Sequence, residues 1–217
     1  MAKLATPLKK QALIESFMRE AILAAAKTVL AANGYDRTSL DQIAQEAEVS
    51  KGSIYVYFRS KEELLAEVLQ GGMHRFIEAS KSAAAHAATP WAALKAVVHT
   101  HLESFAADPD TFKIALTERT NLILNPRSQQ NQALWQMYQE HVEWVGGLFQ
   151  QAIKAGEIRS IEAQHYAHLL LDTVFMAAYR RLATPTSTSL AQEADELMNV
   201  LLWGLSTNTT TTAKKSK

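Results

Sequence analysis

Apolar residues recur along the chain at the three-to-four-residue spacing of one helix face, and beyond Leu65 no strand-like run interrupts that pattern. Phe17, Ala21, Leu23, Ala24, Val29 and Leu30 predict a first helix from Ser16, about seventeen residues long, ended by a left-handed Gly34. Ser39 with Gln42 forms a capping box for a second helix, with Thr38 and Asp41 as a competing registration. Leu40, Ile43, Ala44 and Ala47 share its apolar face. Val49 closes a tight turn, and Ser50 caps a third helix, Lys51 to about Phe58, whose Ile54 and Phe58 face the core. Ser60 with Glu63 caps a fourth, which ends near Gly71-Gly72 or bends there and continues to Ser82.

Thr89-Pro90 and Asp108-Pro109 each place an N-cap residue before a first-turn proline and so start two more helices. Asn125-Pro126 ends the second of these, and Ser128 opens a long helix stopped at Gly156. An eighth runs from after Ser160 to about Leu182. A Pro/Ser/Thr linker, Pro185 to Ser189, leads to a ninth, capped by Ser189 and Gln192. The fold class is therefore all-α, with about nine helices. The expected division is a basic N-terminal arm over 1–15, a three-helix helix-turn-helix domain over 16–62, a larger C-terminal helical domain over 63–206 and a disordered tail over 207–217.

Composition narrows the setting. Zero cysteines among 217 residues exclude disulfides and thiolate metal sites. With no leader-like apolar region near the start, and no apolar run of about 18 residues without charge, neither export nor membrane spanning is supported, and a cytoplasmic protein is expected. The formal net charge is +0 and the pI about 7.1, so any nucleic-acid binding must rest on the local placement of charge.

That placement occurs between Thr38 and Phe58. Lys51, Ser53, Tyr55 and Tyr57 gather on a helix too short to be stable alone, and Gly52 allows close approach of its backbone to another molecule. N-terminal polar groups that reach base edges, beside longer side chains that reach phosphates, are what a helix lodged in the major groove needs. Lys61, in the first turn of the fourth helix, can join the free amides there in holding a phosphate.

GYDRTSLDQIAQEAEVSKGSIYVYFRSKEELL, Gly34 to Leu65, resembles the DNA-binding domain of the tetracycline-repressor (TetR) family of bacterial transcriptional regulators. The resemblance rests on the glycine and aromatic after the first helix, the Ile-Ala pair, Val-Ser-Lys-Gly at the turn, Tyr-x-Tyr-Phe and Ser-Lys-Glu-x-Leu. It implies that Lys51, Gly52 and Ser53 reach base edges, with Tyr55 adding a base or backbone contact. Tyr57, Lys61 and Thr38 or Ser39 then take phosphate-contacting positions. Many members carry glycine where this chain has Glu48; in a left-handed turn glutamate costs about 1–2 kcal/mol.

The same resemblance implies a homodimer docked through helices eight and nine, for which Leu171, Val174, Ala178, Leu197, Leu201 and Leu205 are the candidates. It also implies a repressor released from a pseudo-palindromic double-stranded operator by a small-molecule effector. Phe105, Phe112, Leu116, Trp135, Tyr138, Trp144 and Phe175 are candidate apolar or amphipathic pocket residues, with Arg119, His141 and Asp172 as polar anchors. Nothing in the sequence names the effector. Glu162-x-x-His165 is half of a carboxylate-bridged di-iron motif, but the second half is absent, so no metal, cofactor or enzymatic site is expected. Two rivals stay open: a helical enzyme or metal protein, and an architectural DNA-binding protein of this fold without an effector.

Overall fold

The computed structural model describes residues 7–124, 131–184 and 186–205. Those residues form nine helices and no strand: α1 (Pro7–Asn33), α2 (Leu40–Glu46), α3 (Lys51–Tyr57), α4 (Lys61–Ala85), α5 (Pro90–Ala107), α6 (Pro109–Leu124), α7 (Gln132–Lys154), α8 (Ala163–Ala183) and α9 (Leu190–Leu205). They gather into two compact units. The first contains α1 to α3, α4 through His74, α6 and the start of α7; the second contains the remainder of α4, α5, α7 from Met137, α8 and α9. By packing, the front of α4 and α6 go with α1 to α3, a wider unit than residues 16–62.

Most boundaries follow from local chemistry. Ser39 and Gln42 make the reciprocal capping box at α2, and Ser50 accepts the Ser53 N–H at α3. Asp108 accepts the Thr111 N–H at 3.2 Å at the start of α6, and Ser189 accepts the Gln192 N–H at 3.1 Å at α9. At α4 the box is displaced, because Glu63 reaches back to the Arg59 N–H while Ser60 accepts from Glu63.

One boundary differs from expectation, and at α4 the continuing alternative holds. Helix α1 begins at Pro7, so residues assigned to an arm are helical from there; Pro7 fits a first turn, and Gln11–Glu15 and Ser16–Glu20 bonds one turn apart support the extension. Helix α4 passes Gly71-Gly72 unbroken to Ala85. A Cβ on Gly72 would overlap the Thr111 methyl group, so that glycine serves a close crossing of α4 and α6. Residues 1–6, Asn125-Pro126, Ser128, Pro185 and the 207–217 tail lie outside the described residues.

The first core joins Ile22, Ala26 and Leu30 of α1 to Ile43 and Ala44 of α2, Ile54 of α3, Phe58, and Leu64 and Val68 of α4. Burying these side chains stabilises the two short helices α2 and α3, neither of which would persist alone. In the second unit α5 packs against α8 and α9. Its α8–α9 junction is fixed by Glu193, a buried carboxylate that accepts from Arg180 at 2.7 Å and Arg181 at 2.8 Å. A buried charge survives only with such partners.

Candidate functional site

The turn between α2 and α3 sets the angle of the exposed helix. Val49 N–H bonds Ala44 O at 2.9 Å and Glu48 N–H bonds Gln45 O at 3.2 Å, the paired bonds of a Schellman ending. That ending requires a left-handed residue, and Glu48 supplies it at φ 54°, the sole non-glycine residue with positive φ among those described. Glutamate carries the strain that glycine would avoid.

From this turn α3 presents one edge outward. Lys51, Gly52, Tyr55 and Val56 are exposed, while Ile54 and Phe58 are sealed inside. A Cβ on Gly52 would meet nothing closer than the Ser50 hydroxyl at 3.6 Å, so the protein's own packing does not demand a glycine there. Lys51 Nζ donates to Asp41 Oδ2 at 2.8 Å, and this bond holds the ammonium above its ordinary pKa. Ser53 shares a 2.8 Å hydroxyl contact with Ser50, and Tyr57 lies half-buried against the core. Ser39 is exposed at the head of α2.

Two residues expected at phosphates are occupied internally. Thr38 is 3% exposed and donates to Gly34 O at 2.7 Å, so it ties the α1–α2 connection and leaves the outward position to Ser39. Lys61 donates to Tyr35 O at 2.7 Å and Thr38 O at 2.9 Å, with its ammonium 4.1 Å from the Tyr35 ring centroid. It is a latch on that same connection, with one ammonium proton not engaged in these two bonds. The Tyr35 hydroxyl donates to Glu62, and burial followed by that bond raises its pKa. No local pattern points to this Tyr35–Lys61–Thr38 knot, because Lys61 lies more than twenty residues from both its acceptors.

The residues expected to line an effector pocket divide between the units. Phe112, Leu116, Arg119 and Trp135 belong to the first; Phe105, Tyr138, His141, Trp144, Asp172 and Phe175 belong to the second. Within the second unit several do converge. Phe105 and Phe175 lie 6.0 Å apart between ring centroids, and Trp144 stacks on His141 at 5.5 Å. Phe76 and His101, neither of them among the expected pocket residues, complete the cluster: Phe76 lies 3.9 Å from the His101 ring, and His101 Nε2 meets His141 Nε2 at 3.2 Å. Burial, then the neighbouring His141, pushes His101 well below the usual histidine range. Burial, then Lys81, brings His141 down to about 4. Asp172 departs from expectation, since it sits on the exposed side of α8 rather than in an apolar interior. The period of three to four that placed it on a helix could not say which face was covered.

The family model for bacterial regulatory proteins, tetR family, matches residues 22–68, from the middle of α1 into α4. The fatty acid metabolism regulator protein of Bacillus subtilis (strain 168) is 30% identical over 138 residues, covering 64% of this chain and 69% of that protein. The chain belongs to the TetR family of bacterial regulatory proteins. It is a DNA-binding transcriptional regulator of the helix-turn-helix type. The HTH-type transcriptional repressor KstR2 of Rhodococcus jostii (strain RHA1) is 28% identical over 194 residues, 88% of this chain and 92% of that one. The structure of the transcriptional regulator FadR from Bacillus subtilis with stearoyl-CoA shares the fold at a TM-score of 0.72 and 23% identity, covering 85% of this chain and 98% of that one.

In this TetR-family chain the α8 residues expected at a dimer interface face inward. Leu171, Val174 and Ala178 are buried in the chain's own core, so the densest apolar stripe of α8 is spent on α5 and its neighbours. Leu197 and Leu201 on α9 are half-buried, and the Leu205 side chain is outside the described residues. The large apolar groups left outward are Leu169, Met176, Tyr179 and Leu182 on α8 and Val200 on α9. Glu162 proves to be the N-cap of α8, accepting the His165 N–H at 2.6 Å, which accounts for the Glu-x-x-His spacing without a metal. Among the described residues no three His, Cys, Asp or Glu side chains come together as metal ligands, and no helix is long and apolar enough to cross a membrane.

Proposed function

We infer that this regulator is a cytoplasmic repressor that binds a pseudo-palindromic operator as a homodimer and leaves it when a coenzyme A thioester of an apolar acid occupies its C-terminal region. The observation that carries the DNA half is the edge of α3 with Lys51, Gly52 and Tyr55 exposed and Ser53 half-buried between them, held out by the Schellman turn. Lys51 can donate to guanine O6 and N7, Gly52 has room for a phosphate or base edge to approach, and Ser39 and Tyr57 flank it toward the backbone. Residues 16–62 read DNA in this scheme, and 63–206 bind effector and partner.

One short helix makes too few contacts for specificity, and a two-fold pair doubles them. The outward residues Leu169, Met176, Tyr179 and Val200 suit the docking of α8 and α9 on a second copy better than the inward stripe does. The effector class is supported by the relatives, a fatty acid metabolism regulator and a structural neighbour bound to stearoyl-CoA. Such a ligand releases DNA only to the extent that it prefers the released conformation.

The test is to sequence genomic fragments retained by the purified protein, then titrate acyl-CoA thioesters of graded chain length against the enriched site. A two-fold-symmetric motif released by one range of thioesters is expected. Failure to enrich any motif refutes the operator reading; operator affinity indifferent to every thioester refutes the effector class alone.

A further inference from the structure

Val56 is 76% exposed, more than any other large apolar side chain among the described residues. It stands on α3 one turn after Gly52 and directly after Tyr55, so it shares the outward edge with Lys51, Gly52 and Tyr55. Single apolar residues on a surface are ordinary. Here, however, a β-branched side chain lowers the propensity of a helix of 7 residues that is already too short to persist alone, and it buries little in return.

What surrounds Val56 decides what can cover it. It borders an open groove of about 490 Å3 between α3 and the front of α1, which also carries Glu15 and Arg19. Glu15 accepts from the neutral Gln11 amide at 3.2 Å, whereas Arg19 is paired with Glu67 and lies 4.8 Å over the Phe58 ring. A phosphate arriving beside Val56 therefore meets a carboxylate and a guanidinium already committed elsewhere, and valine has no donor to give it. A base edge carries no such charge. The one apolar group that a base pair presents in the major groove is the C5 methyl of thymine. Valine in a helix keeps one dominant rotamer, so its methyl groups are in place before contact and lose little freedom on making it.

We propose that Val56 is a specificity-determining residue that packs on the C5 methyl of one thymine in each operator half-site and so selects thymine over the other bases there. Gly52, one turn earlier on the same edge, lets the helix approach closely enough for so short a side chain to reach. This deepens the regulator reading and rests on it, because it names a base that the reading helix selects.

The test uses the whole protein and the duplex enriched from genomic fragments, with copies in which one thymine at a time is replaced by uracil. Uracil pairs identically and lacks only the methyl group. At one thymine per half-site the replacement weakens binding about fourfold, the worth of one methyl group taken out of water. In Val56→Ala the same replacement has no effect, because the shortened side chain no longer reaches. Val56 is mostly exposed, so that variant folds, and its helical content by circular dichroism matches the unaltered protein. An enriched half-site without thymine, a duplex in which no uracil weakens binding, or a penalty that survives in Val56→Ala overturns the proposal and leaves the operator reading intact. Failure to enrich any motif overturns both.

Discussion

Glu48 occupies a backbone position that an L side chain enters at a cost, and the two Schellman bonds beside it keep it there. Its side chain is exposed, so no packing is lost when it is removed. Glu48→Gly is therefore expected to raise unfolding free energy by about 1 kcal/mol in urea titration, the relieved strain being partly offset by the freer unfolded chain. The buried histidines act through protons instead. His141 titrates near 4 in the folded protein against 6.5 when free, so the unfolded chain binds more protons between these values. Its contribution is complete above pH 6.5 and is lost as pH falls toward 4, on the order of 3 kcal/mol. His101 shifts in the same direction and adds to the slope. Denaturation at pH 7.5, 5.5 and 4.5 should show this fall, and a His101→Phe/His141→Phe variant should flatten it.

At the helix crossings, two glycines separate close approach from helix propensity. Gly72 in α4 faces the Thr111 methyl, whereas Gly147 in α7 has nothing within 4 Å of where a Cβ would sit. Gly72→Ala should cost about 1–3 kcal/mol by overpacking, and Gly147→Ala should gain about 0.5–1 kcal/mol of helix propensity. Thermal unfolding of both, with Thr111→Ser expected to rescue the first, checks the contrast. The same distinction explains what could be read from the sequence. Caps are local: Ser39 with Gln42, Ser50, Thr89-Pro90, Asp108-Pro109 and Ser189 act within one turn of themselves and were legible. Which face of α8 is covered depends on α5 and α9, so Leu171, Val174 and Ala178 looked like an interface and proved to be core. The internal bonds of Lys61 are hidden for the same reason, since its acceptors lie more than twenty residues away, whereas Thr38 is tied locally to Gly34 O. The turns of α1 before Ser16 bury no apolar stripe, Leu13 and Ile14 being exposed at 71% and 53%, so a helix there leaves no period to read.

For the whole molecule, the outward apolar residues of α8 and α9 set the assembly expected. Val200, 73% exposed, contributes little to its own fold, so Val200→Asp should yield a folded monomer in sedimentation, whereas Leu171→Asp should unfold the chain. Operator affinity should fall with the first through loss of the pair. The Lys51–Asp41 bond bears on how that affinity responds to salt. A lysine that arrives at a phosphate from bulk solvent sets a condensed cation free, and each such release steepens the dependence of affinity on salt by roughly one unit. Lys51 arrives already neutralised, and on parting it leaves Asp41 to collect a cation from solution. The release at one contact is cancelled by the uptake at the other. Asp41→Asn removes the uptake, so a dimer carrying it should bind more tightly at low salt with a log–log slope steeper by about two, one for each protomer. A slope equal to that of the unaltered protein would mean that Lys51 never leaves its carboxylate.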